Sequence, residues 1–278
     1  ANGTCWSSLQ AFLLKCQADV ICIQEHRITD DDGIAKADEW CRRNGWTAHW
    51  SKAAPSDCGG EGSGGTAVLT RKGIGIYGAD DLMAPSPRRC AGKVDVPGGR
   101  RTLISSAYFR CSIGMSLDNL DVLADNGAAI DTWGGPAIIG ADFNSSPEEV
   151  EATRAARKIG GKLVVPEGPR GTCSSAGDSN GRVIDFFIMT QDIAAGLQSG
   201  KTDFNSGLAP HRPVKATFRP RLAAIKARHL KKPGKLATEE ARGPKFQADG
   251  WDLLIRSLEH LRATTRDRSM PYSKALDF

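Results

Sequence analysis

Four polar residues that can bind a metal or move a proton stand where apolar runs of this sequence begin or end. They are Glu25, Asp142, Asn144 and His211. The ends of strands in a packed sheet are rigid, so polar groups placed there can converge on one pocket. Carboxylates gathered in this way suit a metal-dependent active site, with the histidine beside them.

Asp185 lies inside the apolar run 183–188. A carboxylate in that position is costly unless a metal or a hydrogen-bond donor pairs with it, so Asp185 requires a partner. Asp142 and Asn144 are two residues apart, and in an extended segment both would point to the same side. The alternative for Asn144 is an Asx turn that caps a helix beginning near Pro147, which would explain Asp142 poorly.

Alternating helical and strand patterns surround these residues. Apolar residues at helical spacing predict helices over 6–16, 34–43, 117–133 and 147–159. Short apolar runs predict strands near 20–24, 46–50, 66–70, 92–96, 102–109, 137–141, 183–189 and 214–218. Many strands with few helices and long polar loops favour two sheets packed face to face, with helices outside them.

The charge of the 278-residue chain is unevenly distributed, although the net charge is only +5. Residues 219–278 hold 14 Lys and Arg against 7 Asp and Glu, a net of +7, which leaves −2 for residues 1–218. We place a domain boundary there and expect a basic linker with a short amphipathic helix around 251–261. Such a tail suits contact with a polyanion, and a solvated linker is the alternative.

The sequence excludes a transmembrane protein, because no apolar run approaches the roughly 20 residues that a bilayer crossing needs. The eight cysteines show no CxxC pair and no zinc-finger spacing. We interpret them as reduced thiols of an intracellular protein; disulfides would require a secretory signal that had been removed. The chain begins without Met and directly at what looks like the end of a strand, as expected for a piece of a longer polyprotein with an incomplete first strand.

Six segments resemble the ordered motifs of the endonuclease/exonuclease/phosphatase superfamily. They are 19–25 (DVICIQE), 64–69 (GGTAVL), 106–108 (SAY), 139–144 (IGADFN), 184–186 (IDF) and 210–214 (PHRPV). The resemblance covers about residues 1–218 and implies the DNase I-like fold, a four-layer α/β sandwich of two mainly antiparallel sheets flanked by helices. Within the superfamily the chain looks most like the apurinic-type endonuclease domains of non-LTR retrotransposons.

The resemblance also implies roles for single residues. Glu25 is similar to the main metal-binding carboxylate, with Asn2 and Asp142 beside it, and hard oxygen donors suit Mg²⁺ or Mn²⁺. Asp142 and Asn144 would orient the attacking water, while Asp185 and His211 would stabilise the phosphate. Tyr108 resembles a tyrosine that positions the phosphate, or it packs in the core. Asn2 stands so near the chain start that disorder is the alternative.

The last motif departs from the family pattern, which commonly reads Ser-Asp-His. This chain has Ala209-Pro210-His211, and proline supplies neither a charge nor a backbone donor. Glu25, Asp142 and Asp185 still permit one-metal catalysis. The resemblance therefore implies a divalent-metal-dependent phosphodiesterase, a nuclear DNA endonuclease of retroelement type. The alternatives are a non-catalytic nucleic-acid-binding remnant of the fold and a superfamily phosphatase or RNA nuclease.

Overall fold

A computed structural model describes residues 6–55, 62–96, 100–174 and 180–219. The helices are α1 (Trp6–Lys15), α2 (Asp31–Arg43), α3 (Leu117–Trp133), α4 (Pro147–Ala152), α5 (Ala155–Lys158) and α6 (Gln191–Ala194). The strands are β1 (Val20–Gln24), β2 (Trp46–Ser51), β3 (Thr66–Arg71), β4 (Ile76–Gly78), β5 (Arg89–Asp95), β6 (Arg101–Tyr108), β7 (Ala137–Asp142), β8 (Gly161–Val164), β9 (Asp185–Thr190), β10 (Leu197–Thr202) and β11 (Val214–Phe218).

The strands form three sheets within the described ranges. One has the order β1-β3-β2, a larger one has the order β4-β5-β6-β7-β9-β8, and β10 pairs with β11. Every pairing is antiparallel except that of β6 with β7, which helix α3 connects. A parallel pair needs such a crossover, because a short turn cannot bring the second strand back in the same direction.

Two sheets pack face to face, and each has helices on its outer side. Val68 of β3 meets Cys90, Val94 and Ile104 of the larger sheet between the two sheets. Helices α1 and α2 cover the outer face of the three-stranded sheet, while α3, α4 and α5 cover the outer face of the six-stranded sheet. The described residues, which end at Arg219, form the four-layer α/β sandwich that the sequence predicts.

Helix ends follow the local chemistry of the sequence. The carboxylate of Asp30 accepts the backbone N–H of Gly33 at 2.7 Å and begins α2, three residues earlier than the apolar pattern predicts. Gly134 adopts a φ of 61° and ends α3, which spans the predicted 117–133.

The predicted continuous helix over 147–159 is wrong. Ser146 and Glu149 form a capping box that begins α4, but the chain adopts a φ of 59° at Arg154 and separates α4 from α5. Strands β4, β8 and β10 and helix α6 are also absent from the sequence prediction. Three of these elements span only three or four residues and β10 is mostly polar, so they have too little periodicity to be recognised.

Within the described ranges, no helix combines the length and the apolar character needed to cross a membrane. The six cysteines in these ranges are free thiols, in agreement with the prediction of reduced cysteines, and Cys5 and Cys58 lie outside the ranges. The predictions for Asn2, for an incomplete first strand and for the tail beyond Arg219 also fall outside the described residues.

Candidate active site

Three of the candidate residues form one row across the larger sheet. Tyr108 of β6 lies directly opposite Asp142 of β7, and Asp142 lies directly opposite Asp185 of β9. Directly opposite residues on neighbouring strands point to the same face of a sheet. Tyr108 and Asp142 are only 6 % and 4 % exposed, so the row is a buried polar strip at the end of three strands.

A stack of aromatic rings supports this row from the other face. Each row residue is followed by a phenylalanine, namely Phe109, Phe143 and Phe186. The rings stack with centroid separations of 4.8 Å and 4.1 Å, and all three side chains are buried in the core beneath α3. Since successive strand residues face opposite sides, the stack holds the row in place without entering the site.

Glu25 reaches the row from the end of β1. Gln24 fixes this strand end, because its side-chain nitrogen donates to Ser106 Oγ and to the carbonyl of Gly140, both at 3.0 Å. Glu25 itself adopts a φ of 55°, a conformation that non-glycine residues seldom adopt without a functional reason. Glu25 lies close enough to Tyr108 to help raise the pKa of its hydroxyl, and Arg27 lies 3.9 Å from the Glu25 carboxylate.

The loop after Glu25 is fixed by His26 and two glycines. His26 Nδ1 accepts the N–H of Ile28 at 3.1 Å, so Nε2 carries the hydrogen that is donated to the Ser51 carbonyl at 2.9 Å. Gly64 and Gly65 adopt positive φ angles of 75° and 85°. A Cβ at Gly65 would stand 2.5 Å from the His26 ring, so only glycine fits the space beside this loop.

Asp185 and His211 form a direct pair. His211 Nδ1 lies 3.1 Å from both carboxylate oxygens of Asp185. Asp185 is the first residue of β9 rather than a residue inside the strand, which corrects the sequence prediction. The reason is Thr172, a fully buried residue whose hydroxyl accepts the N–H groups of Ile184 and Asp185 at 3.0 Å.

Asn144 does not lie in an extended segment, contrary to prediction. Its φ is 48°, and the chain turns so that its backbone N–H donates to Asp142 Oδ1 at 3.0 Å. Its side-chain nitrogen donates to Asp142 Oδ2 at 3.1 Å and to the Phe109 carbonyl at 2.8 Å. The turn places the Asn144 side chain against the Asp142 carboxylate. Ser146, and not Asn144, is the residue that caps α4.

The buried charges of the site act on one another. Burial and the neighbouring Asp185 raise the pKa of Asp142, and the charge of His211 opposes them. Burial lowers the pKa of His211, but its hydrogen bonds to Asp185 and Cys173 and the two aspartate charges outweigh burial and raise the pKa above 6.5. Burial and the hydrogen bond to Glu25 raise the pKa of Tyr108, which keeps this hydroxyl a donor.

The donor set suits a hard divalent cation. One ligand atom each from Asp142, Asp185 and His211 lie within 4.8 Å of one another, and Glu25 joins this group through Tyr108. The carboxylates of Asp142 and Asp185 both face the single ring of His211, so a further cation beside them would offset the charge of the buried Asp142. Carboxylate oxygens are the ligands that Mg²⁺ and Mn²⁺ prefer.

The structure brings six of the predicted site residues to one edge of the sandwich: Glu25, Tyr108, Asp142, Asn144, Asp185 and His211. Sequence analysis did not find Gln24, Thr172 and Cys173 as neighbours of the site. The repeated pairing of a polar residue with phenylalanine at 108–109, 142–143 and 185–186 is the signal that indicates the row and its aromatic support.

Residues 5–206 match the Endonuclease/Exonuclease/phosphatase family. No curated protein matches the chain significantly. Among solved structures, the AP endonuclease LMAP from Leishmania major has a TM-score of 0.59 and 16 % identity, covering 77 % of this chain and 82 % of that chain. The endonuclease domain of TRAS1, a telomere-specific non-LTR retrotransposon, has a TM-score of 0.57 and 14 % identity, covering 77 % and 91 %.

The 3′ phosphatase NExo from Neisseria, bound to a product DNA hairpin, has a TM-score of 0.53 and 20 % identity, covering 77 % of this chain and 93 % of that chain. At these identities the likeness shows the shared fold.

Proposed function

The chain belongs to the endonuclease/exonuclease/phosphatase family of divalent-metal-dependent hydrolases of phosphate esters, and on that premise we propose that it is a DNA endonuclease of retroelement type. The observation that supports this most is the row of Tyr108, Asp142 and Asp185, which His211 and Glu25 complete from two other elements. A nuclear site of action and a place in a longer polyprotein are part of the same proposal.

Each side chain has a role in hydrolysis by in-line attack of water. Asp142 accepts a proton from the water, and the two hydrogen bonds from Asn144 hold its carboxylate in position. His211, paired with Asp185, donates to the phosphate as negative charge develops on it.

Glu25 and Asp142 would hold Mg²⁺ or Mn²⁺, with Asn2 as a further ligand in the predicted set. Such an ion, when bound, would supply Lewis-acid neutralisation of the phosphate charge. Tyr108 lies beside Glu25 in the site. The hydrogen bonds of Gln24 hold the strand end from which Glu25 projects.

A nucleic acid suits the surroundings of the site better than a lipid headgroup. Arg88 and Arg110 flank Tyr108: the Arg88 carbonyl accepts the Tyr108 N–H at 2.8 Å, and Arg110 lies two residues further on. Both arginines contact Asp118, one at its carbonyl and one at its carboxylate. Asp118 and Asp121 are the acidic residues whose charges act on Arg88, and the basic tail adds a net charge of +7 over residues 219–278.

The decisive experiment is nicking of supercoiled plasmid with Mg²⁺ or Mn²⁺, compared with a duplex that contains one abasic analogue and with single-stranded RNA. We expect plasmid nicking that a chelator abolishes. DNA binding that persists in chelator without any cleavage under either metal would instead identify a non-catalytic remnant. Cleavage of RNA alone would reject DNA as the substrate.

Glu25→Gln removes charge and almost no volume, so it tests the metal site. We expect nicking to fall about 10²-fold or more, because the site loses a preorganised charge, while the unfolding midpoint stays near that of the unchanged protein. Glu167→Gln, at an exposed glutamate, is the matched control and should nick normally. Normal turnover of Glu25→Gln at saturating Mg²⁺ would exclude Glu25 as a ligand.

A further inference from the structure

A second row of side chains lies beside the proposed active site. Cys173 pairs with Arg182 on one side and with His211 on the other, in two antiparallel bridges. Directly opposite residues on antiparallel strands point to the same face. Arg182, Cys173 and His211 therefore face the same side, and the 3.6 Å separation of Cys173 Sγ from His211 Nε2 agrees with this arrangement.

Backbone hydrogen bonds fix the spacing of this second row. Cys173 and Arg182 exchange both backbone bonds, at 3.0 Å and 2.8 Å. The Thr172 carbonyl accepts the N–H of Arg212 at 2.7 Å, next to the pair of Cys173 and His211. Neighbouring strands are about 4.8 Å apart, so the backbones of Arg182 and His211 stand roughly 9.6 Å apart.

Arg182 is an exposed cation on a segment whose described lysines and arginines have no carboxylate partner. Residues 160–219 hold seven Lys and Arg, and none of them takes part in the ion pairs described there, which involve Asp192 and His211. Before residue 160, by contrast, 11 of the 17 described Lys and Arg form an ion pair. The segment that carries His211 therefore keeps its positive charge for an anion.

Other cations of the same segment add to this charge. The Arg212 guanidinium donates to the Gly171 carbonyl and to Ser174 Oγ, both at 2.9 Å, and neither neutral acceptor cancels its charge. Lys201 of β10 and Lys215 of β11 are exposed and lie directly opposite each other. Like charges in that position repel and destabilise a strand pair. A bound polyanion would relieve this repulsion.

We propose that Arg182 binds a phosphate of the cleaved nucleic-acid strand, one to three nucleotides from the bond that is hydrolysed. One strand of duplex DNA carries a phosphate about every 3.4 Å along the helix axis, so the distance from His211 to Arg182 corresponds to about three nucleotides. A guanidinium suits this task because its planar fork can bind two phosphate oxygens at once.

This inference rests on the proposed function and specifies its substrate. A strand that lies across the second row, from His211 over Cys173 to Arg182, must carry a phosphate on each side of Cys173. The substrate is therefore a polynucleotide rather than an ester with a single phosphate. Arg182 does not touch the reacting atoms, so its contribution is to binding and selection of the substrate.

The binding test measures fluorescence anisotropy of a labelled DNA duplex with the full chain in chelator, at several salt concentrations. Arg182→Gln should make the slope of log affinity against log salt concentration shallower by about 0.9, the effect of one lost phosphate contact. Arg182→Lys keeps the charge and should retain the slope. Lys72→Gln, at an exposed lysine just after β3 and far from Gln24, is the control for the loss of one charge. An unchanged slope and affinity in Arg182→Gln would overturn the proposal.

The cleavage test compares plasmid nicking with hydrolysis of bis(4-nitrophenyl) phosphate, a diester that has a single phosphate. Arg182→Gln should lower kcat/KM for the plasmid through a higher KM, and should lower hydrolysis of the small diester by less. Equal losses on both substrates would mean that Arg182 supports the structure of the site and does not bind a second phosphate. If no form of the protein nicks DNA, the proposed function fails, and the anisotropy slopes still decide whether Arg182 contacts a nucleic acid.

Discussion

His211 and Asp185 act as one unit in the proposed mechanism. The Asp185 carboxylate contacts Nδ1 and, together with Asp142, favours the charged ring against the effect of burial. A histidine without this partner would lose both its orientation and part of its charge at neutral pH. The pair is therefore expected to show strongly non-additive effects when its two members are changed.

We expect His211→Gln to reduce nicking by about 10²- to 10⁴-fold and Asp185→Asn to reduce it substantially. The double variant should be about as slow as His211→Gln alone, because Asp185 acts through His211. Single-turnover nicking rates of the three variants measure this. Asp131→Asn, at an exposed aspartate of α3, is the control. If the rate loss of the double variant equalled the product of the two single losses, Asp185 would act independently of His211.

His26 is a structural histidine whose protonation should destabilise the fold. Burial lowers its pKa from 6.5, and Nδ1 must stay unprotonated to accept the Ile28 N–H. The folded state therefore binds the proton more weakly than the unfolded state. The stabilisation is fully present above pH 6.5 and is lost as the pH falls from 6.5 through the lower folded-state pKa.

Urea unfolding between pH 7.5 and pH 5 measures this effect. His211 and Asp142, whose pKa values are raised, act in the opposite direction over this range, so the informative quantity is the difference between the unchanged protein and His26→Gln. On acidification we expect the free energy of unfolding of the unchanged protein to fall relative to that of His26→Gln, because glutamine does not titrate. An identical pH dependence in His26→Gln would assign the effect to other groups.

At the level of secondary structure, three strand ends and the ring stack beneath them make the site rigid. Phe143 is the middle ring and is fully buried. It follows Asp142 directly, so a cavity at Phe143 lies under the residue proposed to orient the water. Stability and site geometry are thus coupled through one side chain.

We expect Phe143→Ala to lower the free energy of unfolding by about 3–5 kcal/mol and to slow nicking at a temperature where the variant is folded. Leu13→Ala, on the buried face of α1, should cost about 2–5 kcal/mol and leave the rate of the folded protein unchanged. Urea unfolding and nicking rates test both variants. Full turnover in folded Phe143→Ala would mean that the stack only stabilises the core.

At the scale of the whole molecule, the sandwich and the basic tail carry net charges of opposite sign. Residues 1–218 have a net charge of −2, and the carboxylates of the site add to the local negative charge. A slightly acidic body binds a polyanion weakly by itself. The excess of lysine and arginine after Phe218 is the obvious source of additional affinity for DNA.

Deleting residues 220–278 removes 13 Lys and Arg and 7 Asp and Glu, a net of +6. We expect weaker DNA binding and a flatter dependence of log affinity on log salt concentration, since fewer phosphate contacts release fewer counterions. Fluorescence anisotropy at several salt concentrations in chelator measures binding without cleavage. Equal slopes for the full and shortened chains would identify the tail as a linker.

Much of the fold could be predicted from local patterns. Helix α3 and strand β11 have the predicted bounds, and the long apolar runs of β1 and β7 end at Glu25 and Asp142 as expected. Apolar periodicity and helix caps depend on residues close together in the chain, so they can be recognised in the sequence. Of the strands missed, β4 and β8 have three or four residues and β10 is mostly polar; such strands form because a neighbouring strand pairs with them, which no local pattern records.

The residue types of the site are evident in the sequence, but their contacts depend on tertiary structure. The turn at Asn144, the start of β9 at Asp185 and the position of Cys173 against His211 all result from hydrogen bonds between segments distant in the chain. Strand register places Tyr108, Asp142 and Asp185 in one row, and a shift of one residue would turn each to the opposite face. That register is set by packing of both sheet faces at once, which only the folded chain can satisfy.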